Sequence, residues 1–255
     1  MKINEFYKFL NEFAPIEYSN VFCEKYGAYD NSGILVDTYE DINSVVFSLD
    51  LTLNAVLYAK EVGAKLIVTH HPAIYKPISS VNDFSNALLS CINEKIGVIS
   101  MHLNLDSAPM GIDHYFCQGI GGENAKIVYP ILEGGYGRVF TLKNTSLSQI
   151  KQHIESEFNT NRVLVYGLDA QKDYKVASFC GGGLGEKEIL SLTDCDLFIS
   201  SDIPHHVLLS AINNKKSVIN LTHYASEFYG YEKIFNQLKN KTKVQMYLNN
   251  DKHLL

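Results

Sequence analysis

Three short apolar runs in this chain each stop at residues able to ligate a metal ion, and that repetition narrows the possible folds more than any other feature. The first run, Lys65-Leu66-Ile67-Val68-Thr69, stops at His70-His71-Pro72. Adjacent strand residues face opposite sides, so a His-His pair within regular strand would place one ring in each layer. Pro72 lacks an N–H, fixes its own φ and pushes His71 toward extended geometry. The strand is therefore expected to end here, with the backbone turning both rings into one crevice. Crevices at the carboxyl ends of strands are where open α/β sheets bind ligands.

The second run, Ile96-Gly97-Val98-Ile99-Ser100-Met101, leads into His102-Leu103-Asn104-Leu105-Asp106, which puts a carboxylate just past another strand. The third, Ser217-Val218-Ile219-Asn220-Leu221-Thr222, delivers His223-Tyr224-Ala225-Ser226-Glu227. If the chain turns helical there, His223 and Glu227 stand at i and i+4, roughly 5–6 Å apart at Cβ, near enough to share a metal. A single buried histidine is ordinarily a satisfied core residue. Histidines fulfilling independent structural roles would have no reason to collect at successive strand ends, so the metal reading is preferred.

Between these runs the hydrophobic period alternates. Phe6, Phe9, Leu10 and Phe13 have helical spacing over Asn4 to Phe13, with Pro15 as the stop. A strand over Val45 to Leu49, a helix from Leu53 to Val62 closed by Gly63, and the run ending in His70 form a βαβ unit. A helix from about Asp83 to Glu94 connects to the Val98 strand, which predicts a partly parallel sheet. Past Gly121-Gly122 the pattern changes to strands at Val128 to Ile131 and Gly134 to Phe140. A helix over Leu147 to Phe158 and strands at Val163 to Tyr166 and Val176 to Phe179 follow. Gly181-Gly182-Gly183-Leu184-Gly185 then turns the chain into a helix near Glu186. The strand Leu197 to Asp202, the helix His205 to Asn213 and the strand reaching His223 echo the first half. The fold class expected is α/β: two related α/β modules with mixed, partly parallel sheets around a central dinuclear metal site. The modules are residues 1–125, with His70, His71 and Asp106, and residues 126–255, with His223 and Glu227.

The 255 residues can bury an ample core, and a net charge of −6 without a basic stripe argues against a nucleic-acid partner. Cys23, Cys91, Cys117, Cys180 and Cys195 are odd in number and form no C-x-x-C pair. They read as buried apolar residues in a reducing compartment. No stretch approaches about 18 apolar residues, and the first residues lack a signal-like apolar core. A cytoplasmic protein without a membrane partner is expected.

The proposed ligand set is His70, His71, Asp106, His223 and Glu227. Two carboxylates oppose roughly four positive charges if two divalent ions bind, so the cluster would attract hydroxide or a phosphate-bearing substrate. Five side chains cannot fill two shells of four to six donors each, so water must complete them, which is the mark of a catalytic metal. Mixed nitrogen and oxygen donors without thiolate suit Zn, Mn, Fe, Co or Ni and disfavour Ca.

Further candidates surround this set. His102 shares a strand tip with Asp106 and could orient a ligand or transfer a proton, although a plain strand-end histidine is the alternative. His205-His206 opens a helix after Asp202-Ile203-Pro204, and His206 is taken as the second catalytic candidate. The Gly181 to Gly185 run reads as a tight turn, with a phosphate cradle as the alternative. Asp30-Asn31-Ser32-Gly33 reads as a turn that could also reach the site.

Taken together, Tyr29-Asp30-Asn31-Ser32-Gly33, Val68-Thr69-His70-His71-Pro72, Ser100 to Asp106, Gly135-Tyr136-Gly137-Arg138 and Thr222-His223-Tyr224-Ala225-Ser226-Glu227 resemble the GTP cyclohydrolase 1 type 2 homologues, also called the Nif-three-like family. The motifs run in family order across nearly the whole chain. The resemblance implies that His70, His71, Asp106, His223 and Glu227 hold two metals, with Glu227 bridging, and that the chain assembles into a ring-like homohexamer. The family's Thr-Gly-Asp or Thr-Gly-Glu tip appears here as Ser200-Ser201-Asp202. The family name implies opening of a guanine imidazole ring with loss of formate. A dinuclear metal-dependent hydrolase acting through a metal-bound hydroxide on a nucleotide, or on a small phosphorylated or heterocyclic compound, is the expected function. The alternative is a non-catalytic metal-binding ring that holds a regulatory ligand or protein partner.

Overall fold

The computed structural model describes residues 1–80 and 86–255, and the side chains of all of these except Asn86. In chain order the elements are α1 (Ile3–Phe13), α2 (Ile16–Tyr26), β1 (Gly33–Val36), β2 (Ser44–Ser48), α3 (Leu53–Glu61), β3 (Leu66–Thr69), α4 (Asn86–Asn93), β4 (Gly97–Ser100) and α5 (Leu103–Ser107). There follow α6 (Ile112–Ile120), β5 (Lys126–Ile131), β6 (Gly134–Thr145), α7 (Leu147–Glu157), β7 (Leu164–Tyr166) and β8 (Lys172–Ser178). The remainder comprises α8 (Glu186–Ser191), β9 (Leu197–Ser201), α9 (His205–Asn213), β10 (Ser217–Leu221), α10 (His223–Leu238) and β11 (Gln245–Leu248).

Two compact units result, Met1–Gly111 with Tyr231–Asp251 and Ile112–Gly230 with Lys252–Leu255. The sequence-based division near residue 125 differs from this. The chain changes unit after Gly111 and again after Gly230, because β11 returns to pair in parallel with β2.

The first unit holds the sheet β1-β4-β3-β2-β11, parallel throughout except for β1 against β4. All four residues of β3 are buried, as the continuous apolar run demands of a strand flanked by β2 and β4 and covered on its faces. Thr52 caps α3 by accepting from the Ala55 N–H at 3.1 Å. Val56 and Ala59 of that helix pack with Val46, Ile67 and Val98. This is the expected βαβ unit, and its parallel register sets Ser48, Thr69 and Ser100 side by side at three strand ends.

In the second unit the sheet is β5-β6-β8-β9-β10-β7, with β8, β9 and β10 parallel and the outer pairings antiparallel. Ala177, Phe198 and Val218 meet Ile189, Val207 and Ala211 from α8 and α9 in its core. Ser146 and Gln149 cap α7 reciprocally, at 3.2 and 3.0 Å. Mixed, partly parallel sheets with the same strand-helix alternation thus occur in both units, as the sequence predicts.

Several segments depart from expectation, β1 and β11 among them. Pro15 stops α1 but sits directly before α2, where its fixed φ of −53° suits a helix entry, and Gly27 at φ +69° closes that helix. The helix expected from Asp83 is observed as α4 from Asn86, and residues 83–85 lie outside the described residues. Short α5 and α6 occupy the stretch after β4, where no helix is evident from periodicity alone. Among the described residues no helix is long and apolar enough to cross a membrane.

Candidate metal centre

At the end of β3 both backbone N–H groups of the pair His70-His71 donate to one acceptor, the Leu49 carbonyl, at 3.1 and 3.0 Å. Two successive donors aimed at one oxygen bend the chain out of strand geometry, so the rings no longer alternate across the sheet. Their centroids lie 4.9 Å apart. Thr69 and Ser100 hydroxyls, 2.7 Å apart, tie this tip to the end of β4. From β4 the chain reaches His102, whose ring centroid is 5.2 Å from that of His70 and 5.8 Å from that of His71. One ring nitrogen from each of the three imidazoles lies within 4.8 Å of those of the other two. Asp106 arrives on the one-and-a-half turns of α5, its Oδ1 3.5 Å from His70 Nε2.

Each imidazole is oriented by an acceptor at Nδ1. His70 Nδ1 lies 2.8 Å from the Met101 carbonyl, which can only accept, so the proton sits on Nδ1 and the Nε2 lone pair points toward Asp106. His71 Nδ1 meets Asp50 Oδ1 at 2.7 Å, and His102 Nδ1 meets Asp30 Oδ1 at 2.8 Å. Burial alone would raise the Asp30 carboxyl, but hydrogen bonds from His102, Ser19 and Ser32 outweigh it and hold the group at about 2. Asp30 is therefore ionised and an acceptor. Such carboxylate–imidazole pairs fix the tautomer of metal-binding histidines and increase their basicity.

The second unit has its own pair. His223 and Glu227 stand one turn apart at the start of α10, with His223 Nε2 3.0 Å from Glu227 Oε1. His223 Nδ1 is held by Asp202 at 2.6 Å, the same arrangement once more. Glu227 is buried, and the wall against it is Gly181, at φ +57°. A Cβ there would fall 2.2 Å from Glu227 Oε1 and 3.2 Å from His223 Nε2, so only glycine leaves room for the carboxylate. Gly181 N–H donates to Ser226 Oγ at 2.9 Å, and Gly185 N–H donates to Glu188 Oε2 at 2.9 Å. These amides are already engaged, and Gly183 makes room for the Tyr136 ring, so the glycine run acts as a close-packing turn.

Metal–ligand bonds of about 2.0–2.2 Å put neighbouring donors about 3.0–3.5 Å apart in tetrahedral or octahedral shells. The His70–Asp106 and His223–Glu227 separations fall in that range. Both donor sets suit a divalent cation of borderline softness. His206 is exposed on the first turn of α9, and among the described residues it joins no such group. Asp50 escaped the sequence reading although it follows β2 as the histidines follow β3, and the same strand-end logic could have found it.

A protein of two mixed α/β sheets, carrying imidazole and carboxylate groups of metal-binding type at its strand ends, is the class these features define. The chain belongs to the Duf34/NIF3 (NGG1p interacting factor 3) family, whose profile matches residues 1–252. It is 30% identical to a Campylobacter jejuni protein named GTP cyclohydrolase 1 type 2 homolog, over 94% of this chain and 93% of that one. It is 28% identical to a Helicobacter pylori protein named GTP cyclohydrolase 1 type 2, over 88% and 86%. A Staphylococcus aureus crystal structure shares the fold with a TM-score of 0.84 at 24% identity, covering 98% of this chain and 96% of that one.

Proposed function

We propose that His70, His71, Asp106, His223 and Glu227 ligate two divalent cations, drawn from Zn, Mn, Fe, Co and Ni, in a hydrolase acting on a nucleotide or another small phosphorylated or heterocyclic substrate. The observation that carries this reading is the repeated orientation of imidazoles. His70, His71 and His223 each engage an acceptor through Nδ1, which directs Nε2 toward neighbouring donors. A histidine serving only the core has no need of an acceptor fixed at Nδ1 and further ligand-type groups gathered around it. Divalent ions, when bound, would supply Lewis acidity and a nucleophile at neutral pH. The chain's own contribution is to hold donors at fixed separations and to place proton carriers around them. His102, with Nδ1 bonded to the Asp30 carboxylate, presents Nε2 as the atom that accepts or delivers a proton. His206, exposed on α9, is the second catalytic residue of this reading.

The names of the Campylobacter and Helicobacter relatives support GTP as the first substrate to try. Free cysteines, five among the described residues, support a cytoplasmic setting, and the family resemblance supports a homohexamer. The test is to incubate protein loaded with each metal with GTP and to follow formate and inorganic phosphate. The expected result is release of product that disappears with chelation and in H71A. Absence of product with every metal, or equal turnover in H71A, overturns the hydrolase. Recovery of tightly held, unaltered GTP would favour a ring that binds without turnover.

A further inference from the structure

Two large aromatic side chains of the first unit stand in the open beside the imidazole cluster. Tyr29 is 50% exposed and Tyr75 42% exposed, so neither ring is serving the core. They come from separate loops, one before β1 and one after β3, and the loops are tied together. Tyr75 donates its hydroxyl proton to the Tyr29 carbonyl at 3.0 Å, and Asn31 Nδ2 donates to the Ile74 carbonyl at 2.5 Å. The first loop is further anchored where Asp30 takes hydrogen bonds from Ser19 and Ser32 at 2.5 and 2.6 Å. These ties hold the two rings nearly perpendicular, at 88° with centroids 5.2 Å apart. Tyr75 in turn stands edge-on to His102, at 90° and 6.3 Å.

Keeping such apolar area in water costs free energy, and a flexible loop would relieve that cost by folding the rings down. Here polar contacts hold them out. A perpendicular pair forms a corner: one ring presents its negative face for stacking, while the other presents its positive C–H edge to lone pairs in the plane of a guest. An aliphatic guest gains nothing from the second element, whereas a flat ring bearing nitrogen or oxygen atoms uses both. The neighbouring side chains, Asp30, Asn31, Ser32 and His102, are polar, which matches a guest with a hydrogen-bonding rim.

We propose that Tyr29 and Tyr75 form the recognition corner for a planar heteroaromatic ring, placing that ring against His102 at the edge of the imidazole cluster. The inference rests on the reading of that cluster as a catalytic site, and it assigns the substrate class to a ring-bearing compound such as a nucleotide rather than a simple phosphoester. Discrimination would then come from stacking, and phosphate groups would bind independently of the two tyrosines.

Isothermal titration of the metal-loaded full chain separates the two contributions, with GTP and ATP as ring-bearing probes and inorganic tripolyphosphate as the ringless one. Loss of one stacking partner is expected to weaken nucleotide binding on the order of tenfold in Y75A and in Y29A. Tripolyphosphate affinity and metal content should stay as in wild type, and Y75F, which keeps the ring and the Asn31–Ile74 tie but loses the hydroxyl tie, should lose less nucleotide affinity than Y75A. The inference is overturned by unchanged nucleotide affinity in both alanine variants, by an equal loss of tripolyphosphate binding, or by a wild-type protein that binds nucleotides no better than tripolyphosphate. Turnover is not the readout. Bound but uncleaved GTP would remove the hydrolase and leave the corner standing, whereas cleavage indifferent to both tyrosines would do the reverse.

Discussion

The imidazole cluster of the first unit and the His223–Glu227 pair of the second have the same donor chemistry but are assembled by different routes. In the first unit, His70, His71, His102 and Asp106 meet because β3 and β4 lie in parallel register and both strands stop at the same level. In the second, His223 and Glu227 meet because they are one helical turn apart. A cluster of the first kind depends on sheet register and on what lies behind each ring. A pair of the second kind depends on helix geometry and on what lies in front of it. The first therefore fails through its supports, and the second through crowding.

The largest effect is expected at Gly181. An alanine there must adopt left-handed φ and must displace the Glu227 carboxylate, whose oxygen would lie 2.2 Å from the new Cβ. Glu227 is buried, so it has little room to yield. G181A should lose at least one equivalent of metal by elemental analysis and should be about 1–2 kcal/mol less stable to denaturant. Full metal content in G181A would show that the second-unit pair tolerates crowding. The comparable change in the first unit, H71A, removes a proposed ligand without disturbing the backbone. It should reduce metal content with stability within about 1 kcal/mol of wild type in chelator, because His71 is only partly buried.

These two cases also show which parts of the protein can be read in its sequence. Strand ends at His70, His102 and His223 are legible because apolar runs and a proline punctuate them, and the i, i+4 spacing of His223 and Glu227 is purely local. The alternation of β2, α3, β3 and β4 follows from hydrophobic period in the same way. What stays hidden is whatever depends on tertiary pairing. β11 is a short segment near the C-terminus with nothing to announce that it joins β2. That Asp30, Asp50 and Asp202 stand behind imidazoles is not legible until the fold places the rings beside them. Gly181 reads as one more turn glycine, because its real constraint is a carboxylate 46 positions away.

Carboxylates behind the rings sharpen the contrast. The Asp50 side chain is 36% exposed and that of Asp202 is 62% exposed, so water can replace Asp202 more readily. Removing such a partner from a metal-binding histidine typically costs about 10–100-fold in affinity. D50N should fall toward the upper end of that range and D202N toward the lower, measured by competition with a chromophoric chelator. Equal losses, or a larger loss in D202N, would mean that exposure does not set the value of these contacts and that the two units are supported alike.

The smallest effect is a pH dependence carried by Asp30 of the first unit. Asp30 has its carboxyl lowered to about 2 in the folded chain, against burial and through His102, Ser19 and Ser32, whereas an unfolded aspartate titrates near 3.9. The unfolded chain therefore binds this proton more readily, and stability rises with pH across the interval between the two values. The contribution is complete above about pH 4 to 5 and is lost as pH falls through about 2, on the order of 2 kcal/mol in all. In metal-free protein, D30N should lack this component, so the gap between wild type and variant in urea unfolding should narrow from pH 5 to pH 3. A parallel D30N curve would show that the buried hydrogen bonds on Asp30 hold the loop without coupling to its charge.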